Sequence, residues 1–190
     1  MMFIETSLKD AYLVRLDKRQ DERGFNARLW CEREFAAQGL MPRVVQTNII
    51  HNPHRGTLRG LHYQQPPFAE CKLFRCVRGS MYDVIVDLRP ESPTYRQWLA
   101  VELSAARYEL LYVPEGFAQG FQTLENDTEL IYQVSQFYTP ESGRGIRYDD
   151  PAFAISWPLP VSVISRQDTA WPAFSKVAGD LTHELARDTR

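Results

Sequence analysis

Lys72-Leu73-Phe74-Arg75-Cys76-Val77-Arg78 runs through Gly79-Ser80 into Met81-Tyr82-Asp83-Val84-Ile85-Val86-Asp87-Leu88. Both halves are short and rich in the aliphatic, β-branched and aromatic residues that suit a pleated surface. Successive side chains of a strand point to opposite faces, so Lys72, Phe74 and Cys76 share one face of the first half. The stretch reads as two strands closed into a β-hairpin around Gly79-Ser80.

The same pattern recurs on both sides. Residues 44–50 read as a strand ended by Asn52-Pro53-His54-Arg55-Gly56, and residues 58–64 as one stopped by Pro66-Pro67. Residues 98–103 and 108–113 lead to the turn Pro114-Glu115-Gly116. Residues 117–124 and 128–138 are expected to pair across Glu125-Asn126-Asp127. Many short strands with regular turns point to a sandwich or barrel, and the jelly roll is the expected form. Helix signals are confined to the ends: residues 32–38, with Gly39 as a stop, and residues 176–186. The expected fold class is all-β, with short peripheral helices. No repeat, linker or low-complexity tract divides the chain, so residues 1–190 are expected to form a single jelly-roll domain.

Composition narrows the function. Apolar residues make up 44% of the 190, charged residues 24%, and the net charge is −2. Basic residues are scattered singly, which argues against a nucleic-acid surface but leaves room for a local diphosphate pocket. No uncharged stretch free of proline is long enough to span a membrane, and the N-terminus lacks a signal-peptide pattern. The three cysteines (Cys31, Cys71, Cys76) show no CxxC spacing, so neither a disulfide framework nor a zinc site is indicated, and a cytoplasmic protein is expected. Only four of the 22 basic residues are lysines, and between Lys18 and Lys176 there is just Lys72. In a chain that otherwise uses arginine, it stands out.

Four histidines are present, His51, His54, His62 and His183, without an HxH pair or a following carboxylate at metal-ligand spacing. That pattern argues against a metal-dependent jelly-roll oxygenase. His51 and His54 fall in a Pro/Gly turn and His183 in a charged tail, where solvated surface is the default. His62 lies in the apolar strand Leu58-Arg59-Gly60-Leu61-His62-Tyr63-Gln64. It reads either as a buried histidine satisfied by a carbonyl or as a general base. Strict alternation would send Arg59 and His62 to opposite faces, and Gly60 hints at the bulge or close backbone approach that could unite them. Lys72 reads by default as an edge-strand lysine and otherwise as a cation inside a site. Tyr132 shares a face with Leu130 and Val134, with Tyr138 expected on the same face. A packed aromatic is the ordinary reading there. Asp168 could open a turn or cap a short helix.

The order of these residues resembles the dTDP-4-dehydrorhamnose 3,5-epimerase family over nearly the whole chain. The resemblance rests on Asp21-Glu22-Arg23-Gly24-Phe25, Gln46-Thr47-Asn48, residues 58–64 as quoted and Cys71-Lys72-Leu73. It continues through Tyr82-Asp83-Val84, Glu91-Ser92-Pro93-Thr94-Tyr95, Pro114-Glu115-Gly116-Phe117-Ala118 and Tyr132. It implies a cupin-like jelly-roll homodimer without metal or other cofactor, acting on a nucleotide-diphospho-4-keto-6-deoxy sugar at C3, C5 or both. By resemblance His62 is the base, Asp168 the acid that orients it, Lys72 the cation beside the enolate and Tyr132 the proton donor. Arg23 and Arg59 match diphosphate ligands. Gln46, Thr47, Asn48 and Tyr138 fall at nucleotide and sugar contacts. The chain departs from the family at Arg28 (usually Glu), Gln119 (usually His), Gly143 (commonly Glu) and Gln167 (commonly Lys). These are substrate-binding positions, so the reaction type is better supported than the substrate. A sugar-nucleotide 3,4-ketoisomerase and a non-catalytic sugar-nucleotide-binding jelly roll are the competing readings.

Overall fold

The structure, a computed structural model, describes residues 1–175. The expected helix 176–186 and His183 lie outside the described residues. In chain order the strands are Met2–Glu5 (β1), Tyr12–Arg15 (β2), Arg19–Asp21 (β3) and Gly24–Asn26 (β4), followed by helix Glu32–Ala37 (α1). Gln46–Asn52 (β5), Leu58–Gln64 (β6), Lys72–Arg78 (β7), Ser80–Asp87 (β8) and Trp98–Ser104 (β9) come next. Leu110–Val113 (β10), Phe117–Thr123 (β11), Thr128–Val134 (β12), Gly143–Gly145 (β13) and helix Arg166–Ala170 (α2) complete the set. A six-stranded sheet in the order β1-β2-β10-β7-β12-β5 faces a five-stranded sheet in the order β13-β6-β11-β8-β9, and β3-β4 forms a separate ribbon. Neighbouring strands of each sheet run antiparallel, and the fold is the cupin-like jelly roll of the expected class.

The opening stretch departs from its reading as a hairpin. β7 and β8 lie in different sheets, with Gly79 alone between them. Gly79 has φ +73°, and a Cβ there would sit 2.7 Å from Thr128 Oγ1, so the crossing needs glycine. The expected pairing of residues 117–124 with 128–138 fails in the same way, because β11 and β12 also belong to opposite sheets. Alternation fixes which face of a strand is buried, and a hairpin and a sheet-to-sheet arch bury the same faces. Here the inward face of β7 (Phe74, Cys76) meets the inward face of β8 (Met81, Ile85) across the sandwich, with Leu111, Phe121 and Leu130 filling the same core.

The other face of β8 is buried too. Val84 and Val86 pack with Leu61, Ile146, Phe153 and Phe174 beneath the C-terminal loops. A strand buried on both faces reads as continuously apolar, which makes Asp83 within it conspicuous. On the far side of the six-stranded sheet, α1 lays Phe35 over Val14, Leu73 and Tyr112. Burying that ring contributes roughly 2–3 kcal/mol. Glu34 of α1 accepts hydrogen bonds from the Met1 amino group at 2.7 Å and from Arg28 Nη1 at 2.6 Å. Two sequence expectations need correction at the site itself. β7 is an interior strand, flanked by β10 and β12, so Lys72 is not an edge lysine. β12 ends at Val134, so Tyr138 belongs to the following loop rather than to the Tyr132 face.

Candidate active site

A cleft of about 760 Å³ opens between the two sheets. One wall is the five-stranded sheet, which supplies Arg59 and His62 from β6 and Gln119 from β11. The opposite wall is the six-stranded sheet, which supplies Gln46 and Asn48 from β5, Lys72 from β7 and Tyr132 from β12. Asp168 closes one end from α2, and Tyr138 lines the cleft from its loop.

Gly60 makes the His62 wall possible. The pairing of β6 with β11 shifts register between Gln119 and Phe121, so Arg59 and His62 both line the cleft despite standing three residues apart. At φ +118°, Gly60 lies so close to the neighbouring strand that a Cβ would sit 2.5 Å from Gly120 Cα and 2.8 Å from Gln119 O. The sequence hint of a close backbone approach is realised in this contact.

His62 Nε2 lies 2.6 Å from Asp168 Oδ1, with 44% of the His62 side chain exposed and Asp168 almost fully covered. Burial by itself would raise the Asp168 carboxyl. The hydrogen bond and charge of His62, with the Gly60 N–H, outweigh it and hold the group below its usual range. A carboxylate thus takes the Nε2 hydrogen and leaves Nδ1 as the basic nitrogen. α2 is fixed for this task by Ser165, whose hydroxyl accepts the Asp168 N–H at 3.0 Å. Trp171 donates its indole N–H to Asp168 Oδ1 at 3.3 Å and stands edge-on to His62. Gly145 leaves the space that the Trp171 indole fills.

Across the cleft the Lys72 side chain is 9% exposed. Its Nζ donates to the His62 carbonyl at 3.2 Å and pairs with Glu70 Oε1 at 3.3 Å. Tyr132 stacks on Phe74, with centroids 5.1 Å apart and planes 10° from parallel. Burial, then the charge of Glu70, raises its phenol above the ordinary value, with Arg59 opposing, so the ring keeps its proton at neutral pH. Arg59 Nε donates to Asn52 Oδ1 at 2.9 Å, and the Tyr138 N–H donates to Gln46 Oε1 at 3.1 Å. The arrangement brings a base, a protonated phenol and an ammonium to one space, with the base and the phenol on facing walls.

Several expected residues do not meet there. Thr47 alternates to the outer face of β5, away from Gln46 and Asn48. Arg23 is exposed at the tip of the β3-β4 ribbon, paired with Asp21, and Arg28 is held by Glu34. Both arginines border a surface hollow of about 620 Å³ instead of the cleft. Glu70, Arg144 and Trp171 are among the cleft residues that went unread in the sequence. Below them, Asp83 is fully buried, accepts the Gln119 Nε2–H on Oδ1 and leaves Oδ2 without a hydrogen-bond partner among the described residues. Burial pushes its carboxyl from 3.8 up to about 7, against the Gln119 hydrogen bond and the charge of Lys72. An acid inside the run Met81–Leu88 was the available signal for Asp83. Glu70, two residues before Lys72, carried no comparable signal.

Among the described residues no helix is long and apolar enough to cross a membrane. A family model for dTDP-4-dehydrorhamnose 3,5-epimerase matches residues 5–176. The dTDP-4-dehydrorhamnose 3,5-epimerase of Sinorhizobium fredii is 40% identical over 178 residues, covering 93% of this chain and 91% of that protein. The Legionella pneumophila dTDP-6-deoxy-D-glucose-3,5-epimerase, solved with dTDP-4-keto-L-rhamnose, superposes with a TM-score of 0.87. It is 34% identical and covers 95% of this chain and 96% of that one. The 3'-monoepimerase ChmJ of Streptomyces bikiniensis, solved with dTDP-quinovose, superposes at 0.83 with 29% identity, covering 96% of each chain.

Proposed function

Because this chain belongs to the dTDP-4-dehydrorhamnose 3,5-epimerase family, we propose that it inverts C3, C5 or both in a nucleotide-diphospho-4-keto-6-deoxy sugar. The C4 ketone acidifies the hydrogens on both neighbouring carbons. His62 Nδ1 takes such a hydrogen as a proton, and the C–H electron pair moves into the ring to form the enolate. Asp168 holds the imidazole in the required tautomer and favours the imidazolium that results. The Lys72 ammonium offsets the charge arriving on the ketone oxygen. Tyr132 then gives its phenolic proton to the same carbon from the other side, and the enolate pair forms the new C–H bond.

The observation that carries this reading is the division of labour between the sheets. Inversion requires removal and delivery on opposite faces of the sugar ring, and His62 and Tyr132 come from opposite walls of the cleft. Arg59 is the diphosphate ligand of this reading, and Gln46, Asn48 and Tyr138 surround the nucleotide and sugar. The enzyme works as a homodimer in the cytoplasm, and the exposed ribbon bearing Arg23, outside its own cleft, is a surface available to a second copy. The three cysteines are free, as a reducing compartment requires.

The test is incubation with a panel of 4-keto-6-deoxy sugar nucleotides in deuterated water, read by mass and NMR. Deuterium at C3, C5 or both identifies the carbon and the substrate. His62→Asn should fold normally and lose turnover by about 10² to 10⁴, together with deuterium wash-in. Tyr132→Phe should keep part of the wash-in while inverted product falls much further. Near-normal wash-in without His62, or undiminished inversion without Tyr132, contradicts the assignments. Absence of both exchange and inversion across the panel in the parent protein contradicts the reaction.

A further inference from the structure

Among the described residues, Glu70 is the one acid lining the cleft to which the reaction above gives no task. It lies in the connection between β6 and β7, its side chain is 11% exposed, and its Oε1 stands 3.3 Å from Lys72 Nζ. A buried ammonium is costly without a counter-charge. The His62 carbonyl at 3.2 Å offers Lys72 a dipole but no net charge. Of the other acids nearby, Asp168 is committed to His62. Asp83, beneath Lys72 on β8, is held partly protonated by its burial and is an inconstant partner at neutral pH. Glu70 is the remaining carboxylate.

Its position also bears on the phenol. Among the described residues, the charged and titratable groups lining the cleft with Tyr132 are Glu70 from the connection, Arg59, His62 and Tyr63 from β6, Lys72 from β7, Tyr138 from its loop, Arg144 from β13 and Asp168 from α2, with Asp83 of β8 buried near Lys72. Glu70 raises the phenol's hold on its proton, and Arg59 weakens it.

We propose that Glu70 is a positioning residue for this reaction. It tethers the Lys72 ammonium beside the enolate site, and its negative charge adds to burial in strengthening the hold of Tyr132 on its proton. One carboxylate thereby sets both the electrophilic and the acid partner of His62. This assignment rests on the roles given above to Lys72 and Tyr132.

The experiment compares the parent with Glu70→Gln, which is nearly isosteric, and Glu70→Asp, which keeps the charge. Tyrosinate absorbance is titrated for each protein and for its own Tyr132→Phe derivative, and the difference isolates the ionisation of Tyr132. In Glu70→Gln that midpoint moves to lower pH. The alkaline limb of the inversion rate moves with it, kcat falls by about tenfold or more as the cation loses its aim, and KM changes little. Glu70→Asp restores part of the rate. An unmoved Tyr132 midpoint overturns the proposal, even where kcat falls, because a purely structural role lowers activity without moving an ionisation. If Glu70→Gln does not fold, Glu70→Ser removes the charge with less bulk and gives the same reading. The titration needs no turnover, so an inactive parent counts against the reaction and leaves the Glu70 assignment to the absorbance.

Discussion

Replacing Asp83 by Asn should remove a loss of stability that this carboxyl imposes as pH rises from about 4 to about 7. In the unfolded chain this carboxyl ionises near its ordinary 3.8, and in the fold, fully buried, near 7. Below 3.8 both states carry the proton, and the group is neutral in each. Between 3.8 and about 7 the folded state binds a proton that the unfolded state has released, so stability falls as pH rises. Above about 7 both are ionised and the accumulated loss stays constant. At about 1.4 kcal/mol per pH unit, the interval amounts to about 4 kcal/mol, an upper bound because the interior relaxes. The Asn variant keeps an oxygen for Gln119 and has no proton to lose. Urea unfolding of parent and variant, at about pH 4 and about pH 8, isolates the residue because all other groups titrate alike in both. The stability difference should shift towards the variant by about 3–4 kcal/mol from the lower to the higher pH. Parallel profiles, or a shift the other way, would refute the claim that the buried acid holds its proton into the neutral range.

Substitutions at Gly60, Gln119 and Arg28 have defined outcomes. Gly60→Ala drives a Cβ into the backbone of Gly120 at a φ that L-residues avoid, so stability should fall by roughly 3 kcal/mol or more. Thermal melting should drop by about 6–12 °C for a chain of this size, and an unchanged melting temperature would show that the two strands can part without loss. Gln119→His should change relative kcat/KM among sugar nucleotides, because Gln119 lines the cleft. Arg28→Glu should do so only where a second copy brings the residue to the substrate, and a preference unchanged in both variants means that neither position selects substrate.

The sequence made the strands legible because alternation and turn residues are local. It could not tell an arch from a hairpin, since the inward residues Phe74, Cys76, Met81 and Ile85 are the same in both. Lys72 looked like an edge residue for the same reason: strand order is set by distant partners, here β10 and β12. The pairing of His62 with Asp168, 106 residues apart, was reached through resemblance. Periodicity offered no route to it, because α2 is a five-residue helix whose position depends on the packing of the loops before it. Arg59 and His62 were left conditionally on one side by Gly60, and the condition holds through the register shift opposite Gln119. Thr47 was carried along with its neighbours Gln46 and Asn48, although alternation alone would have turned it outward.

The sheet-to-sheet crossing at Gly79 has a mechanical consequence. Packed sheets stand about 10 Å apart, and the proposed reaction puts the sugar between them, so on that reading the gap works as a gauge for stereochemistry. A core truncation such as Leu111→Ala, in the inter-sheet core and outside the cleft lining, would loosen that gauge and leave the His62–Asp168 hydrogen bond intact. Proton abstraction would then outlive proton delivery, and a partly relaxed molecule would exchange hydrogen with water while returning the sugar in its original configuration. Fidelity of inversion, measured as inverted product per deuterium incorporated, is therefore a ruler for the spacing of the sandwich.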